Sequence, residues 1–127
     1  MSEEKMPLGL LLSDDLIFTS RITGTARALG LAVKAAQTVE ALEALARQRA
    51  PTGVLVDLGN PGLEVPDLIA RLKGACPVMP RVVAYGSHVD AAGLRAARAA
   101  GCDIVLPRSA FVEQLPASLP EWLASPS

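Results

Sequence analysis

The sequence predicts an α/β domain built on a doubly wound parallel sheet, and three observations predict it. Five short apolar runs of strand length recur along the chain: Leu8–Leu12, Leu31–Ala35, Val54–Val56, Val82–Tyr85 and Ile104–Leu106. They are nearly continuous in apolar character rather than alternating, as strands buried on both faces require. Segments with helical spacing separate them. The length of 127 residues and the 50% hydrophobic content suit one domain with a sizeable core, expected over residues 7–124 with a frayed tail at 1–6.

The first run leads into a helix with Phe18, Ile22, Ala26 and Leu29 on one face, ending at Gly30. Lys34 interrupts the second run and sends it to a sheet edge. Thr38 is placed to cap the second helix, whose stripe is Val39, Leu42, Leu45 and Ala46. Pro66 suits the first turn of the third, which turns Leu68, Ile69 and Leu72 inward and stops before Gly74. Asp90 is the expected N-cap of the fourth, with Ala91, Leu94 and Ala97 buried and Gly101 at its end. The fifth starts at Ser109, but Pro116 and Pro120 break its pattern, so it is expected to be short or divided. Trp122 and Leu123 would pin its end back on the sheet. Five such units with right-handed crossovers favour a flavodoxin-like (βα)5 three-layer sandwich of strand order 2-1-3-4-5.

Composition also excludes functions. A net charge of −1 leaves no electrostatic footprint for nucleic acid and no basic patch for a membrane surface. Apolar stretches such as Leu8–Leu12 are far short of a bilayer span, and the acidic start is not a secretory signal. Cys76 and Cys102 lack metal-type spacing; free buried thiols in a reducing cytoplasm are the plainer reading, although one disulfide stays open. No Gly-rich phosphate loop, nucleophile elbow or dinucleotide fingerprint is present. His88, the only histidine, reads as a polar loop residue.

Open α/β sheets place their sites beyond the carboxyl ends of the strands, where the strand order reverses. Asp14 and Asp15 stand after the first run, and Asp57 ends the third. With strands 1 and 3 adjacent, three carboxylates are expected to converge. Like charges so close call for a cation among them, and Mg²⁺ with its preference for oxygen is the natural occupant. Taken singly, Asp15 and Asp57 have a plainer reading as helix and turn caps.

In this order these residues resemble the receiver domain of two-component response regulators, over essentially the whole chain. The resemblance rests on Ser-Asp14-Asp15-Leu after strand 1 and on Val-Leu-Val-Asp57-Leu-Gly-Asn-Pro61 at strand 3. The Ala99-Ala100-Gly101-Cys102 turn before strand 5 adds to it. It implies a phosphoacceptor, Asp57, supplied by a sensor histidine kinase, a phosphotransfer protein or a small acyl phosphate. It further implies Mg²⁺ held by Asp15, Asp57 and the backbone carbonyl of Gly59, with Asp14 reaching through water. Beyond its own phosphorylation such a domain is no enzyme. With no output domain expected after the fifth unit, it would signal by protein contact through about residues 90–118, where Arg95, Arg98 and Phe111 lie.

The chain departs from the family at three places. Where receivers carry Ser or Thr at the end of strand 4, Ser87 is the candidate, although counting back from Gly101 gives Gly86. Arg108 stands where a lysine normally pairs with the phosphoryl oxygens, and its fork is not a lysine's point charge. Val105 replaces a common aromatic residue. Tyr85, one strand over, is expected only to pack, with its hydroxyl in water. These departures keep open a pseudo-receiver, never phosphorylated and retained as an interaction scaffold. A small-molecule-binding domain is a third reading, disfavoured by the anionic strand ends.

Overall fold

The computed structural model describes residues 7–125, in which five strands alternate with five helices. The elements are β1 (Leu8–Leu12), α1 (Leu16–Ala28), β2 (Ala32–Ala36), α2 (Val39–Gln48), β3 (Gly53–Asp57), α3 (Val65–Ala75), β4 (Arg81–Gly86), α4 (Ala91–Ala100), β5 (Ile104–Pro107) and α5 (Arg108–Trp122). All strand pairs are parallel and the order is β2-β1-β3-β4-β5, so the chain reverses direction across the sheet between β1 and β3. The expected tail at 1–6 lies outside the described residues.

Strand side chains alternate between two helical layers, as the period of two dictates. Leu8, Leu10 and Leu12 join Val54, Val56, Val82 and Ala84 beneath α2, α3 and α4. Leu11, Leu55 and Val83 face the other way, against Ile22 and Ala26 of α1 and Phe111, Leu115, Leu119 and Trp122 of α5. β2 is the edge strand, paired only with β1, and its Lys34 is exposed. Local caps set several helix ends. Thr38 accepts from the Ala41 N–H and Asp90 from the Gly93 N–H, while Gly101 takes the left-handed conformation (φ +117°) that suits glycine.

Some expectations are corrected. Leu29 is exposed at the α1 cap, and Ala91 faces solvent in the first turn of α4, where Leu94 and Ala97 already supply the inward stripe. Gly74 does not lie past α3 but inside its last turn, on the solvent side, and the helix runs on to Ala75. Cys76 and Cys102 are both free and buried.

The largest correction concerns α5. It starts at Arg108 and runs unbroken for 15 residues with Pro116 and Pro120 inside it. Both prolines are exposed, off the buried face of the helix. Phe111, Leu115, Leu119 and Trp122 form one buried stripe, and its burial outweighs the two lost backbone hydrogen bonds. Leu123 then docks on two glycines paired in register, Gly9 of β1 and Gly53 of β3. A Cβ on Gly53 would lie 2.6 Å from the Trp122 carbonyl oxygen, and one on Gly9 2.7 Å from a Leu123 methyl. Thr52 Oγ1 donates to the Leu123 carbonyl, and Arg81 donates to that of Glu121. The end of α5 is thus clamped to the sheet edge opposite Asp57.

Candidate functional site

Alternation also builds the opposite edge. Leu11, Leu55 and Val83 share one face, so two residues further on the chain turns Ser13, Asp57 and Tyr85 to that same face. The register confirms the row: Leu12 pairs with Val56, Asp57 with Tyr85, and Tyr85 with Leu106. A hydrophobic row is therefore followed by a polar one at the strand ends.

Asp57 is the centre of that row and is only 3% exposed. Its Oδ2 accepts the Ser13 hydroxyl at 2.8 Å, and its Oδ1 accepts the Gly59 backbone N–H at 2.9 Å. Arg108 brings Nη2 to 3.7 Å from Oδ1. A buried carboxylate needs such compensation, and here it comes from two hydrogen bonds and one cation. The Arg108 guanidinium in turn lies 5.5 Å over the Phe18 ring, a cation–π contact that holds it at the mouth of the site. The β3–α3 loop is anchored beneath. Leu58 N–H donates to the Tyr85 carbonyl, Asn60 N–H to the Asp57 carbonyl, and the Asn60 side-chain amide to the Gln37 carbonyl. Pro61 is exposed on that loop.

The structure does not gather the three expected carboxylates. Asp15 is exposed at the N-cap of α1, where Oδ1 accepts the Phe18 N–H at 3.0 Å. Asp14 is exposed and makes no hydrogen bond or ion pair with the described residues. Among the described residues, no three acidic, histidine or cysteine side chains are grouped so as to hold a metal ion. The donor set therefore does not fit a three-acid Mg²⁺ site. The side chain that meets Asp57 just past β1 is Ser13, and the positive charge facing it is Arg108.

Ser87 falls beyond the end of β4. It is exposed, and its Oγ accepts the Val89 N–H at 3.3 Å while the residue lines a cavity of about 120 Å³ with Gly59, Asp90 and Arg108. The β4 residue opposite Asp57 is Tyr85. It is fully buried, contrary to the expectation of a hydroxyl in water. Burial, and after it the charge of Asp57, push its phenol well above the ordinary range. The nearby Ser13 hydroxyl tempers that rise, yet at full hydrogen-bond geometry the Tyr85 hydroxyl has no partner among the described residues. His88 is exposed in the loop after β4.

Ser13 and Tyr85 are thus the residues that sequence reasoning passed over. The signal for both was strand parity: Leu-x-Ser at 11–13, Leu-x-Asp at 55–57 and Val-x-Tyr at 83–85 share one phase.

No protein-family model matches the chain, and no curated protein sequence matches it. Solved structures do. One is a protein from Chloroflexus aurantiacus assigned as a response regulator, with a TM-score of 0.79 at 19% identity over 94% of this chain and 98% of that one. A second is the receiver domain of the Francisella response regulator 1452, with a TM-score of 0.76 at 15% identity over 92% and 96%. A third comes from the co-crystal structure of the Saccharomyces cerevisiae histidine phosphotransfer signalling protein Ypd1 and the receiver domain of its downstream response regulator Ssk1. There the TM-score is 0.77 at 16% identity over 93% and 89%. Fold order, strand register and these matches agree: the chain has the fold of a response-regulator receiver domain.

Proposed function

We propose that this chain is a receiver-type signalling domain that accepts a phosphoryl group on Asp57 and passes the change on by protein contact. The observation that carries the reading is the Asp57 carboxylate itself. It is buried at the end of the central strand, fixed by Ser13 and Gly59, and faced by Arg108. Each carboxylate oxygen accepts one hydrogen bond and keeps a second lone pair for attack. An Asp57 oxygen forms the new O–P bond as the P–N bond of a phosphohistidine breaks, and the departing imidazole takes a proton from solvent. Arg108 meets the charge on the transferred oxygens. Because such transfer needs mainly positioning and charge, a site this spare is adequate for it.

The donor is a histidine kinase or phosphotransfer protein, in line with the Ypd1 complex among the structural neighbours. The output surface comprises α4, β5 and the start of α5. Arg95 is exposed there; Arg98 donates to the Val105 carbonyl, and Phe111 is buried, so it is not part of that surface. Two free buried thiols fit a reducing compartment.

A scaffold that is never phosphorylated is the second reading, favoured by one observation: Asp15 caps α1 and no three-acid cluster exists among the described residues. Incubation with acetyl phosphate, with and without Mg²⁺, separates the two. A mass gain of one phosphoryl group, labile to hydroxylamine and missing in Asp57→Asn, is the expected result. An unmodified parent under both conditions leaves the scaffold reading standing.

A further inference from the structure

We infer that the Tyr85 hydroxyl, rather than that of Ser87, is the β4 donor to the group carried by Asp57. This rests on the phosphoacceptor reading above. Register sets Tyr85 directly opposite Asp57 on the adjacent strand, and parity turns both side chains to the same face. The phenol oxygen is buried and has no hydrogen-bond partner at full geometry among the described residues. A buried O–H without an acceptor is a costly feature that native structures rarely keep without a purpose. Here the acceptor is missing from the resting site and arrives with a phosphoryl group, whose oxygens are acceptors only.

The surroundings support donation. Phe18 packs on the Tyr85 ring and carries over its own ring the Arg108 guanidinium that faces Asp57. Burial, and after it Asp57, keep the phenol protonated, and therefore a donor, through the physiological range. Ser13 is already engaged, donating to Asp57 and accepting from the Asp15 N–H. The Tyr85 ring is held between Phe18, with centroids 5.0 Å apart, and Phe111 at 4.4 Å. The donor is thus pre-placed, and loses little freedom when it binds. Arg108 and Tyr85 would hold the phosphoryl oxygens as a charged and a neutral donor. Ser87, by contrast, is exposed in the loop beyond the end of β4, off the register row that holds Asp57 and Tyr85.

The experiment uses the full chain and beryllofluoride with Mg²⁺ as the mimic of an aspartyl phosphate. Binding is followed by ¹⁹F NMR and by the near-ultraviolet absorbance of the single tyrosine. The parent is expected to bind, with a shift in the tyrosine band as the phenol engages an anion. Tyr85→Phe keeps the packed ring, and is expected to bind about tenfold or more weakly, with one bound fluorine resonance displaced. Ser87→Ala should change neither. If Tyr85→Phe matches the parent in affinity and fluorine spectrum, or Ser87→Ala carries the loss instead, the assignment is overturned. A parent that binds no beryllofluoride overturns the phosphoacceptor reading, and this inference with it.

Discussion

The two helical layers pack on opposite faces of one sheet with different chemistry. The layer of α2, α3 and α4 is aliphatic, and its outer surface carries an ion-pair network in which Arg71 reaches Glu43 at 2.7 Å and Asp67 at 2.9 Å. The layer of α1 and α5 holds all four aromatic residues of the chain. They touch in series, Phe18 with Tyr85, Tyr85 with Phe111, and Phe111 stacked on Trp122 at 5.3 Å. That series begins at Arg108 beside Asp57 and ends where α5 is clamped to the far sheet edge. In the aliphatic layer packing holds up the sheet. In the aromatic layer the same side chains hold the sheet and shape the Asp57 site.

Truncating one fully buried residue in each layer tests this difference most strongly. Leu72→Ala and Phe111→Ala should each destabilise severely, by about 2–5 and about 3–5 kcal/mol in denaturant unfolding. Only Phe111→Ala should also displace the amide resonances of Asp57 and Gly59. Equal disturbance of the site by Leu72→Ala would dissolve the distinction.

Next in size is Gly53→Ala, which puts a methyl against the Trp122 carbonyl and should cost about 1–3 kcal/mol. Trp122 is the only tryptophan, so its fluorescence should report a displaced α5 end. The corresponding change in the aliphatic layer, Gly74→Ala, meets only an Arg47 side-chain nitrogen at 3.9 Å and should be neutral or slightly stabilising.

A smaller effect separates the adjacent acids. Asp15→Ala removes the α1 cap and should cost about 1 kcal/mol, whereas Asp14→Ala should leave the thermal midpoint almost unchanged. Comparable losses from both would assign Asp14 a structural role that the hydrogen bonds do not show.

The last effect is nil near neutral pH. Tyr85 has a raised pKa in the fold, so its stabilising preference for the neutral phenol is intact below about pH 10, the unfolded value. It is lost progressively as pH rises from there through the folded pKa, because the unfolded chain ionises first. An alkaline absorbance titration of this one tyrosine should show no phenolate until the fold opens. Early ionisation at about pH 10 in the folded chain would remove Tyr85 from the buried row.

What the sequence determined by itself was the architecture. Short continuous apolar runs, the helical 3.6 period, and caps such as Thr38, Asp90 and Gly101 act over a few residues, so the five units could be read directly, and the crossover rule then favoured their order in the sheet. Asp57 could be placed at a strand end for the same reason. What met Asp57 was decided only in three dimensions. Shifting the phase of β1 by one residue exchanges an acid for Ser13, and register rather than spacing chose Tyr85 over Ser87. The unbroken α5 was hidden too, because local proline penalties are overruled by a buried stripe whose partners lie far away in sequence. Gly9 and Gly53 showed no purpose until Leu123 packed on them: close approach is a property of two segments, and neither one encodes it alone.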